Sequence, residues 1–291
     1  MSQKVLITGA NGGFGKITVH SLLKGGHQVA ATMRGIEGKN KEAADELAAA
    51  GAKIIELDVT NEDSVNQGVG GAIDQLDGLD VVVNNAGVGV LGIQEMFTTE
   101  DWQRLFDINV FGVQRVVRAS LPYLRSQGSG FLVFVSSLLG RMTFPFYGPY
   151  NASKWALEAM AENYRVELSG FGIGSAIVEP GGFPTPFFGS LMQPGDNSRN
   201  DGYGEMIHAP KAAFDNFEGA LAQNPAQDPQ LVADAIVQLA ETPAGERPFR
   251  TTVDKMGMGD HISPYNDQLE QVMQGIYGAF GMGDMLKVKE S

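Results

Sequence analysis

The chain has 291 residues, of which 43% are hydrophobic and 19% charged, and its formal net charge at pH 7 is −13. This composition is typical of a globular protein with a large core, and the charge argues against nucleic acid or an anionic membrane as partner. The absence of cysteine excludes disulfides and thiolate metal sites. No apolar run reaches the ~20 residues of a membrane span, and a strand pattern already begins at Lys4. A cytoplasmic protein without a signal peptide is therefore the expectation.

The first motif is a glycine-rich loop between a strand and a helix. Val5-Leu-Ile7 is a short apolar strand, Thr8-Gly-Ala-Asn-Gly-Gly-Phe-Gly15 follows it, and a helical pattern then runs to Gly25. Glycines let the backbone approach a pyrophosphate, and the free N–H groups at the start of the helix attract its charge. A tight turn also uses glycines, but the flanking strand and helix favour a dinucleotide-binding loop.

The second predicted strand bears on the choice of cofactor. It covers His27–Met33 and ends at Arg34. In NAD-binding folds an acidic residue near this point binds the ribose 2′-hydroxyl, whereas an arginine suits a 2′-phosphate. No acid stands here, so NADP(H) is favoured over NAD(H), with Lys39 in the following loop as a second candidate cation. The alternative is that Arg34 is an ordinary solvated loop residue.

A carboxylate closes the third predicted strand. A helical segment over residues 40–50 leads into Lys53–Leu57, and Asp58 follows. At the carboxyl end of a parallel strand this side chain is placed to accept a hydrogen bond from an adenine amino group. The alternative is a helix N-cap, for which Thr60 and Asn61 are better placed.

The fourth predicted strand, Leu79–Val83, ends in Asn84-Asn-Ala-Gly87. Successive strand–helix units without a sequence repeat predict an α/β fold of the Rossmann type. We expect a doubly wound parallel sheet of about seven strands, flanked by helices in a single domain.

Two candidate catalytic residues, Tyr150 and Lys154, are four positions apart, and a helix places them on one face. A cation beside a phenol lowers its pKa from ~10, so the tyrosine can exchange protons with an alcohol or carbonyl. Ser137 follows the apolar strand Phe131–Val135, at the sheet edge where such folds bind ligands. Alone, the Tyr-x-x-x-Lys spacing is more typical of a solvated helix face. The upstream motifs favour catalysis.

Together these segments resemble the short-chain dehydrogenase/reductase family in its single-domain form. The matching pieces follow the family's order and approximate spacings over residues 1 to about 255. They are Thr8-Gly-x-x-x-Gly13-x-Gly15, Asp58, Asn84-Asn-Ala-Gly87, Asn109, Ser137, Tyr150-x-x-x-Lys154 and Pro180-Gly181. The resemblance implies an oxidoreductase that interconverts a carbonyl and an alcohol by hydride transfer with NADP(H).

The resemblance also implies roles for individual residues. Ser137 would hydrogen-bond the substrate oxygen, and Tyr150 would act as general acid and base. Lys154 would hold the nicotinamide ribose and keep the pKa of Tyr150 low. Asn109 would hold a water molecule in a proton relay; without the resemblance it is a buried polar residue that bends a helix. The implied cofactor-binding residues are Gly9, Asn11, Gly13, Phe14, Gly15, Arg34, Asp58, Val59, Asn85, Ala86, Gly87, Tyr150, Lys154, Pro180, Gly181, Phe183 and Thr185.

Two positions depart from the family pattern. Gly12 stands where the family has a basic residue before the second loop glycine, so NADP binding would depend mainly on Arg34. Glu179 precedes Pro180 and is expected at a strand end beside the nicotinamide site. No metal site is expected, because the four histidines are scattered and no ligand spacing occurs.

The substrate pocket is predicted to be apolar and to suit a hydrophobic ketone, aldehyde or alcohol. Hydrophobic residues follow the predicted catalytic and nicotinamide segments, although each taken singly is as well explained by the core. They are Val88, Val90, Leu138, Phe144, Phe146, Tyr147, Phe183, Phe187, Phe188, Leu191 and Met192.

The last third of the chain is predicted to add a lid and a tail. Residues 189–228, rich in Gly, Asn, Asp and Pro, are expected to form a long loop insertion, interpreted with its flank (about 186–228) as a substrate lid. A helix at Gln230–Glu241 and a strand at Arg250–Val253 follow. Residues 256–291 form a predicted helical extension packed on the same domain. The family resemblance implies a homodimer or homotetramer.

Two other functions remain open. A catalytically silent NADP-binding sensor would have lost Ser137, Tyr150 or Lys154, and all three are present. A nucleotide-sugar epimerase would have a differently spaced glycine loop and a larger C-terminal substrate domain. The carbonyl reductase or alcohol dehydrogenase is therefore the leading hypothesis.

Overall fold

The central sheet is wound in both directions from its first strand. Its strands are β1 (Lys4–Thr8), β2 (Gln28–Met33), β3 (Lys53–Glu56), β4 (Val81–Asn84), β5 (Gly130–Val135), β6 (Ile173–Pro180) and β7 (Arg250–Val253). The computed structural model describes residues 2–289, and within them the strands run parallel in the order β3-β2-β1-β4-β5-β6-β7. Ile7 of β1 pairs with Ala31 on one side and Val83 on the other. The predicted Rossmann-type sheet is confirmed.

Helices cover both faces of this sheet. They are α1 (Gly13–Lys24), α2 (Lys41–Ala49), α3 (Glu62–Leu76), α4 (Thr99–Phe106), α5 (Gly112–Gln127), α6 (Gly148–Leu168), α7 (Asn200–Tyr203), α8 (Ala209–Ala222), α9 (Gln230–Glu241) and α10 (Gly259–Ala279). A π-helical turn, Asp107–Phe111, joins α4 to α5. No helix in the described part of the chain is both long and apolar enough to cross a membrane.

The two faces of the sheet carry separate apolar cores. Val5 and Ile7 pack with residues of α1 and α9 on one face, and Leu6 and Val82 pack with residues of α3, α5 and α6 on the other. Strands covered on both faces need apolar residues at successive positions, which explains runs such as Val81–Val83. Because all the strands run parallel, the loops that follow them emerge at the same edge of the sheet.

The prediction of one long loop insertion over 189–228 was wrong in part, because that segment contains α8. Pro210 stands in its first turn, where a missing N–H costs nothing. Phe214, Phe217 and Leu221 follow at helical spacing. Phe188, just upstream, meets both phenylalanine rings edge-on, at 5.7 and 5.5 Å between ring centres. The helix is therefore held by an aromatic cluster at its middle.

The helix of the tail, α10, lies against β7 and α6. Arg165 of α6 makes two hydrogen bonds to the Glu270 carboxylate, of 2.7 and 2.8 Å. Further on, the Lys289 backbone N–H donates to the Ser169 carbonyl at 2.9 Å. Residues 290 and 291 of the predicted extension lie outside the described residues.

Candidate active site

A cavity of about 600 Å³ opens at the carboxyl edge of the sheet, where the loops after β1 and β4 separate. Its volume falls in the range of small-molecule and cofactor sites. With two exceptions, every residue predicted to bind cofactor or to act in catalysis lines this cavity. The exceptions are Gly15 and Asn109.

The glycine loop after β1 is built for close approach of a ligand. Gly9 and Gly13 have positive φ angles of 67° and 50°, which glycine adopts without strain. The Thr8 hydroxyl accepts hydrogen bonds from the backbone N–H groups of Asn85 (3.1 Å) and Ala86 (3.0 Å), which ties this loop to the one after β4. The first N–H groups of α1 have no partner within the helix. The loop therefore fits a pyrophosphate.

Gly15 serves the packing of the loop. A Cβ at this position would overlap the Gly9 carbonyl oxygen and lie 2.6 Å from Asn85 Nδ2. The absence of a side chain thus lets α1 start directly against both loops, the task that the third glycine has in dinucleotide-binding folds.

Gly15→Ala is expected to lower the free energy of unfolding by about 1–3 kcal/mol, because a methyl group is forced into a packed site. The matched control is Gly70→Ala in α3, where the added Cβ meets no atom of the described residues within 4 Å apart from its chain neighbours and the backbone of its own helix. That variant is expected to raise the free energy of unfolding by roughly 0.5–1 kcal/mol, since alanine is the better helix former. Urea unfolding of both variants measures the difference, and equal effects would contradict the packing role.

Arg34 and Asp58 lie together at one end of the cavity, in the loops that follow β2 and β3. Arg34 Nη1 is 3.7 Å from Asp58 Oδ2, and half of the arginine side chain is exposed. Burial raises the pKa of Asp58, but hydrogen bonds from Thr60 (3.0 and 2.7 Å) and the Arg34 charge outweigh it and lower that pKa. Asn61 caps α3 by accepting from Ser64 N at 2.8 Å. Asp58 is therefore free of the capping role.

The loop after β2 carries a polar residue that the sequence did not single out. Asn40 donates from Nδ2 to the Arg34 carbonyl at 2.6 Å and accepts from Asn11 Nδ2 at 3.3 Å. Asn40, Lys39 and Arg34 all line the cavity. Asn40 thus connects the arginine loop to the glycine loop, a contact that its place among other polar loop residues did not indicate.

Ser137, Tyr150 and Lys154 are brought together at the other end of the cavity, and each is less than a tenth exposed. Tyr150 stands in the first turn of α6 and Lys154 one turn later. Lys154 Nζ donates to the Val135 carbonyl at 2.9 Å and lies 5.6 Å from the centre of the Tyr150 ring. The Ser137 hydroxyl accepts from Leu139 N at 3.1 Å, so its own proton stays available for donation.

The pKa of Tyr150 differs from the sequence-based expectation. Burial raises it, and the neighbouring Ser137 hydroxyl opposes this shift only in part. Burial also lowers the pKa of Lys154 to about 8, against the pull of Glu158. In the protein alone, desolvation therefore decides the direction of the Tyr150 pKa shift, and the phenol keeps its proton at neutral pH.

Asn109 is buried in the π-helical turn and does not line the cavity. Its side chain accepts from Val88 N and donates to Val88 O, both at 2.9 Å. Nδ2 also donates to Ser153 Oγ at 3.1 Å, and that hydroxyl donates to the Tyr150 carbonyl at 2.8 Å. Asn109 thus fixes the loop after β4 against the helix that carries Tyr150. Such π-helical turns are frequent at functional sites.

The segment after β6 closes the cavity beside the catalytic residues. Phe183 is buried and meets the Phe14 ring edge-on, at 5.5 Å between centres. A Cβ at Gly182 would overlap the Phe217 ring of α8. Pro180, Gly181, Phe183 and Thr185 all line the cavity. This segment is therefore held between the glycine loop and α8.

Glu179 does not stand beside the predicted nicotinamide site, and that expectation was wrong. Its side chain is fully buried and faces Arg250, with Oε1 3.1 Å from Arg250 Nε. Side chains alternate along a strand, so Glu179 and Pro180 point to opposite faces of β6. The carboxylate belongs to a buried ionic cluster that sequence reasoning missed.

Only some of the predicted apolar pocket residues reach the cavity. Val90 is buried and forms an isolated β-bridge with Met192, and neither residue lines the cavity. Phe146 and Leu191 do not line the cavity either. The predicted residues that line it are Val88, Leu138, Phe144, Tyr147, Phe183, Phe187 and Phe188, and the lining residues that were not predicted include Leu139, Ala213 and Phe217.

The family model described as short chain dehydrogenase matches residues 3–194. The chain belongs to the short-chain dehydrogenase family. It is 36% identical over 251 residues to the uncharacterized oxidoreductase YusZ of Bacillus subtilis, covering 82% of this chain and 85% of YusZ. It is 34% identical over 251 residues to retinol dehydrogenase 8 of Bos taurus, and the match covers 81% of this chain and 77% of that protein.

A solved structure of a short-chain dehydrogenase from Streptomyces avermitilis is similar over almost the whole length. It covers 97% of this chain and 98% of its own, with 31% identity and a TM-score of 0.76. The resemblance found in the sequence is confirmed, and membership of the short-chain dehydrogenase family supports an NAD(P)-dependent oxidoreductase.

Proposed function

We propose that the protein is an NADP(H)-dependent oxidoreductase that interconverts a ketone or aldehyde and the corresponding alcohol of a hydrophobic small molecule. The observation that carries this proposal is the convergence of Ser137, Tyr150 and Lys154 in the cavity that also contains the glycine loop. Consumption of NADPH in the presence of hydrophobic carbonyl compounds tests it.

In the reductive direction the bound nicotinamide would supply a hydride to the carbonyl carbon. The Ser137 hydroxyl donates a hydrogen bond to the substrate oxygen, and Tyr150 donates its proton to the same atom. Both groups are aimed at the charge that develops on that oxygen. The Lys154 ammonium stabilises the phenolate that remains and binds the ribose hydroxyls.

The raised pKa of Tyr150 suits this role. The phenol is protonated at neutral pH in the protein alone, so it enters the reductive reaction ready to act as an acid. The buried Lys154 retains its charge below about pH 8. The pair therefore has the required protonation states over the same neutral pH range.

The walls around Tyr150 support a hydrophobic substrate. The Phe187 ring lies 6.0 Å from the Tyr150 ring, and Phe188 connects it to α8. Residues 186–228, including α8, would act as the lid over this part of the cavity. Apolar walls with a few convergent polar groups are typical of sites for small hydrophobic ligands.

For cofactor choice, Arg34→Ala is expected to raise the KM for NADPH about 10- to 100-fold, because a charge-assisted hydrogen bond to the 2′-phosphate contributes about 1.5–3 kcal/mol. The KM for NADH should change little, since NADH lacks that phosphate. Steady-state kinetics with both cofactors measures the two values.

A matched control is Arg118→Ala, since Arg118 is exposed and pairs with Glu62 outside the cavity. It should leave both KM values unchanged. Equal effects of Arg34→Ala on NADPH and NADH would refute the assignment of Arg34 to the 2′-phosphate.

A further inference from the structure

A buried ionic cluster, formed by Arg141, Glu158, Glu179, Arg250 and Asn266, lies beside the candidate active site. Each of these side chains is less than a tenth exposed, and none lines the cavity. Two carboxylates here face two guanidinium groups. Buried ion pairs contribute little net stability but are costly to break, because one partner is then left as an unpaired buried charge. The cluster therefore imposes a defined arrangement on the elements that meet in it.

The elements that meet in the cluster are those that carry the proposed catalytic groups. Arg141 lies four residues after Ser137, in the loop that follows β5. Glu158 is one helical turn after Lys154 on α6. Glu179 directly precedes residues 180–185, the segment that lines the cavity and that the resemblance implies to contact the nicotinamide, here called the nicotinamide segment. A shift in the cluster would thus reach the serine, the lysine and the nicotinamide segment together.

The contacts between the serine loop and Glu158 are close. Ser136 Oγ donates to Glu158 Oε1 at 2.8 Å, and Arg141 Nη1 lies 3.3 Å from Glu158 Oε2. A Cβ at Gly140 would overlap the Glu158 carboxylate and lie 2.7 Å from Ser136 Oγ. The loop is thus packed directly onto the carboxylate, so a displacement of Arg141 is passed on to Ser137.

Asn266 of α10 connects the two halves of the cluster. Its Oδ1 accepts from Arg141 Nε at 2.9 Å, and its Nδ2 donates to Glu179 Oε2 at 2.5 Å. Among the described residues, Arg141 Nη2 has no hydrogen-bond partner, and Glu179 Oε1 meets Arg250 Nε only as an ion pair without hydrogen-bond geometry. The Arg141 guanidinium also lies over the Tyr265 ring, 4.9 Å from its centre. The helix of the tail therefore holds the serine loop against the end of β6.

We propose that Asn266 is a positioning residue, whose amide sets the Ser137 loop relative to the nicotinamide segment through Arg141 and Glu179. The C-terminal helix α10 then belongs to the framework of the active site. The expected changes in kcat and KM rest on the proposed function. The expected loosening of the Ser137 loop and the nicotinamide segment does not, so hydrogen exchange tests the positioning role separately from the activity.

Asn266→Asp is the sharpest perturbation, because it sets a carboxylate against the Glu179 carboxylate while keeping the acceptor for Arg141. We expect kcat to fall about 10- to 100-fold, since a small misplacement of catalytic groups has effects of that size. The KM for NADPH should rise by a smaller factor than kcat falls, because the glycine loop and Arg34, which are proposed to bind the phosphates, are remote from the cluster. A purely structural role would lower the Tm without this separation of kcat from KM.

The compensating change is Glu179→Gln. In N266D/E179Q the glutamine amide donates to the new carboxylate, Arg141 keeps its acceptor, and the cluster regains its original net charge. We expect this double variant to recover at least about tenfold in kcat over N266D, the sign of direct coupling between neighbours. Asp267→Asn, at the exposed neighbouring position of α10, is the matched control and should behave as the wild type.

Hydrogen exchange of the ligand-free protein gives the readout that does not need turnover. In N266D the amides of residues 136–142 and of Gly181, Gly182, Phe183 and Thr185 should exchange faster than in the wild type, and in N266D/E179Q the protection should return. If N266D does not fold, Asn266→Ala replaces it. At a temperature well below the Tm of this variant, the same segments should exchange faster than in the wild type, and kcat should be about tenfold lower.

Three outcomes would overturn the positioning role. The first is a folded N266D or N266A variant with wild-type exchange in both segments. The second is a kcat within about twofold of the wild type. The third is an N266D variant of low kcat that E179Q does not rescue. If the wild type itself consumes no NADPH with any carbonyl compound, the proposed function fails and the exchange data alone decide.

Discussion

Replacing Tyr150 with phenylalanine is expected to lower kcat by about three orders of magnitude, because the substrate oxygen loses its proton donor. The ring stays in its buried position beside Phe187, so the shape of the cavity is kept. Binding of NADPH should change less than about threefold, since the removed hydroxyl acts on the substrate oxygen. Steady-state turnover and the fluorescence of bound NADPH measure the two effects.

The same helix offers a matched control. Tyr164 also lies on α6, but its ring stacks on Phe134 at 6.2 Å, away from the cavity. Tyr164→Phe removes an equivalent phenolic hydroxyl outside the cavity and should leave kcat unchanged. A Tyr150→Phe variant that turned over at the rate of Tyr164→Phe would rule out Tyr150 as the general acid.

Lys154→Met should lower kcat/KM at least about 100-fold, because the buried cation that stabilises the phenolate and binds the ribose is lost. A methionine of similar length fills the same space without the charge. Lys24→Met, at the exposed end of α1, is the control and should have no effect. A loss in Lys154→Met that is no larger than in Lys24→Met would contradict the role of the cation.

The pH dependence of the wild type gives a second test of Lys154. A lysine is charged below its pKa, and burial lowers the pKa of Lys154 to about 8. The kcat/KM of the free enzyme should therefore be constant near neutral pH and fall as the pH rises through about 8. In Lys154→Met this decline should be absent, and a decline that persisted there would assign it to another group.

Local patterns sufficed for the sheet and for the residues at its edge. The strand–glycine loop–helix order around Gly9 and Gly13, and the helix Gln230–Glu241, are encoded in neighbouring residues, so the sequence predicted them. The four-residue spacing of Tyr150 and Lys154 likewise predicted one helix face. Spacing alone does not reveal burial, and for that reason the sequence predicted a lowered Tyr150 pKa where burial raises it in the protein alone.

Contacts between distant parts of the chain were beyond such patterns. Arg141 and Asn266 are 125 positions apart and meet only in the fold. The polar composition around α8 likewise masked the helical spacing of Phe214 and Phe217, whose partner Phe188 lies outside the helix. Glu179 was assigned to the wrong side of β6. The direction in which a side chain points at the end of a strand depends on which elements pack on each face of the sheet, and the local sequence does not show this.

The most direct test of the proposed activity is the absorbance of reduced nicotinamide, followed with NADPH and with NADH. The substrates are a panel of hydrophobic ketones and aldehydes, with β-ketoacyl thioesters and small polar carbonyl compounds for comparison. NADPH should be consumed faster than NADH, and faster with the hydrophobic carbonyl compounds than with the polar ones. Tight binding of NADPH without consumption of either cofactor across the panel would contradict the proposal and favour a silent dinucleotide sensor.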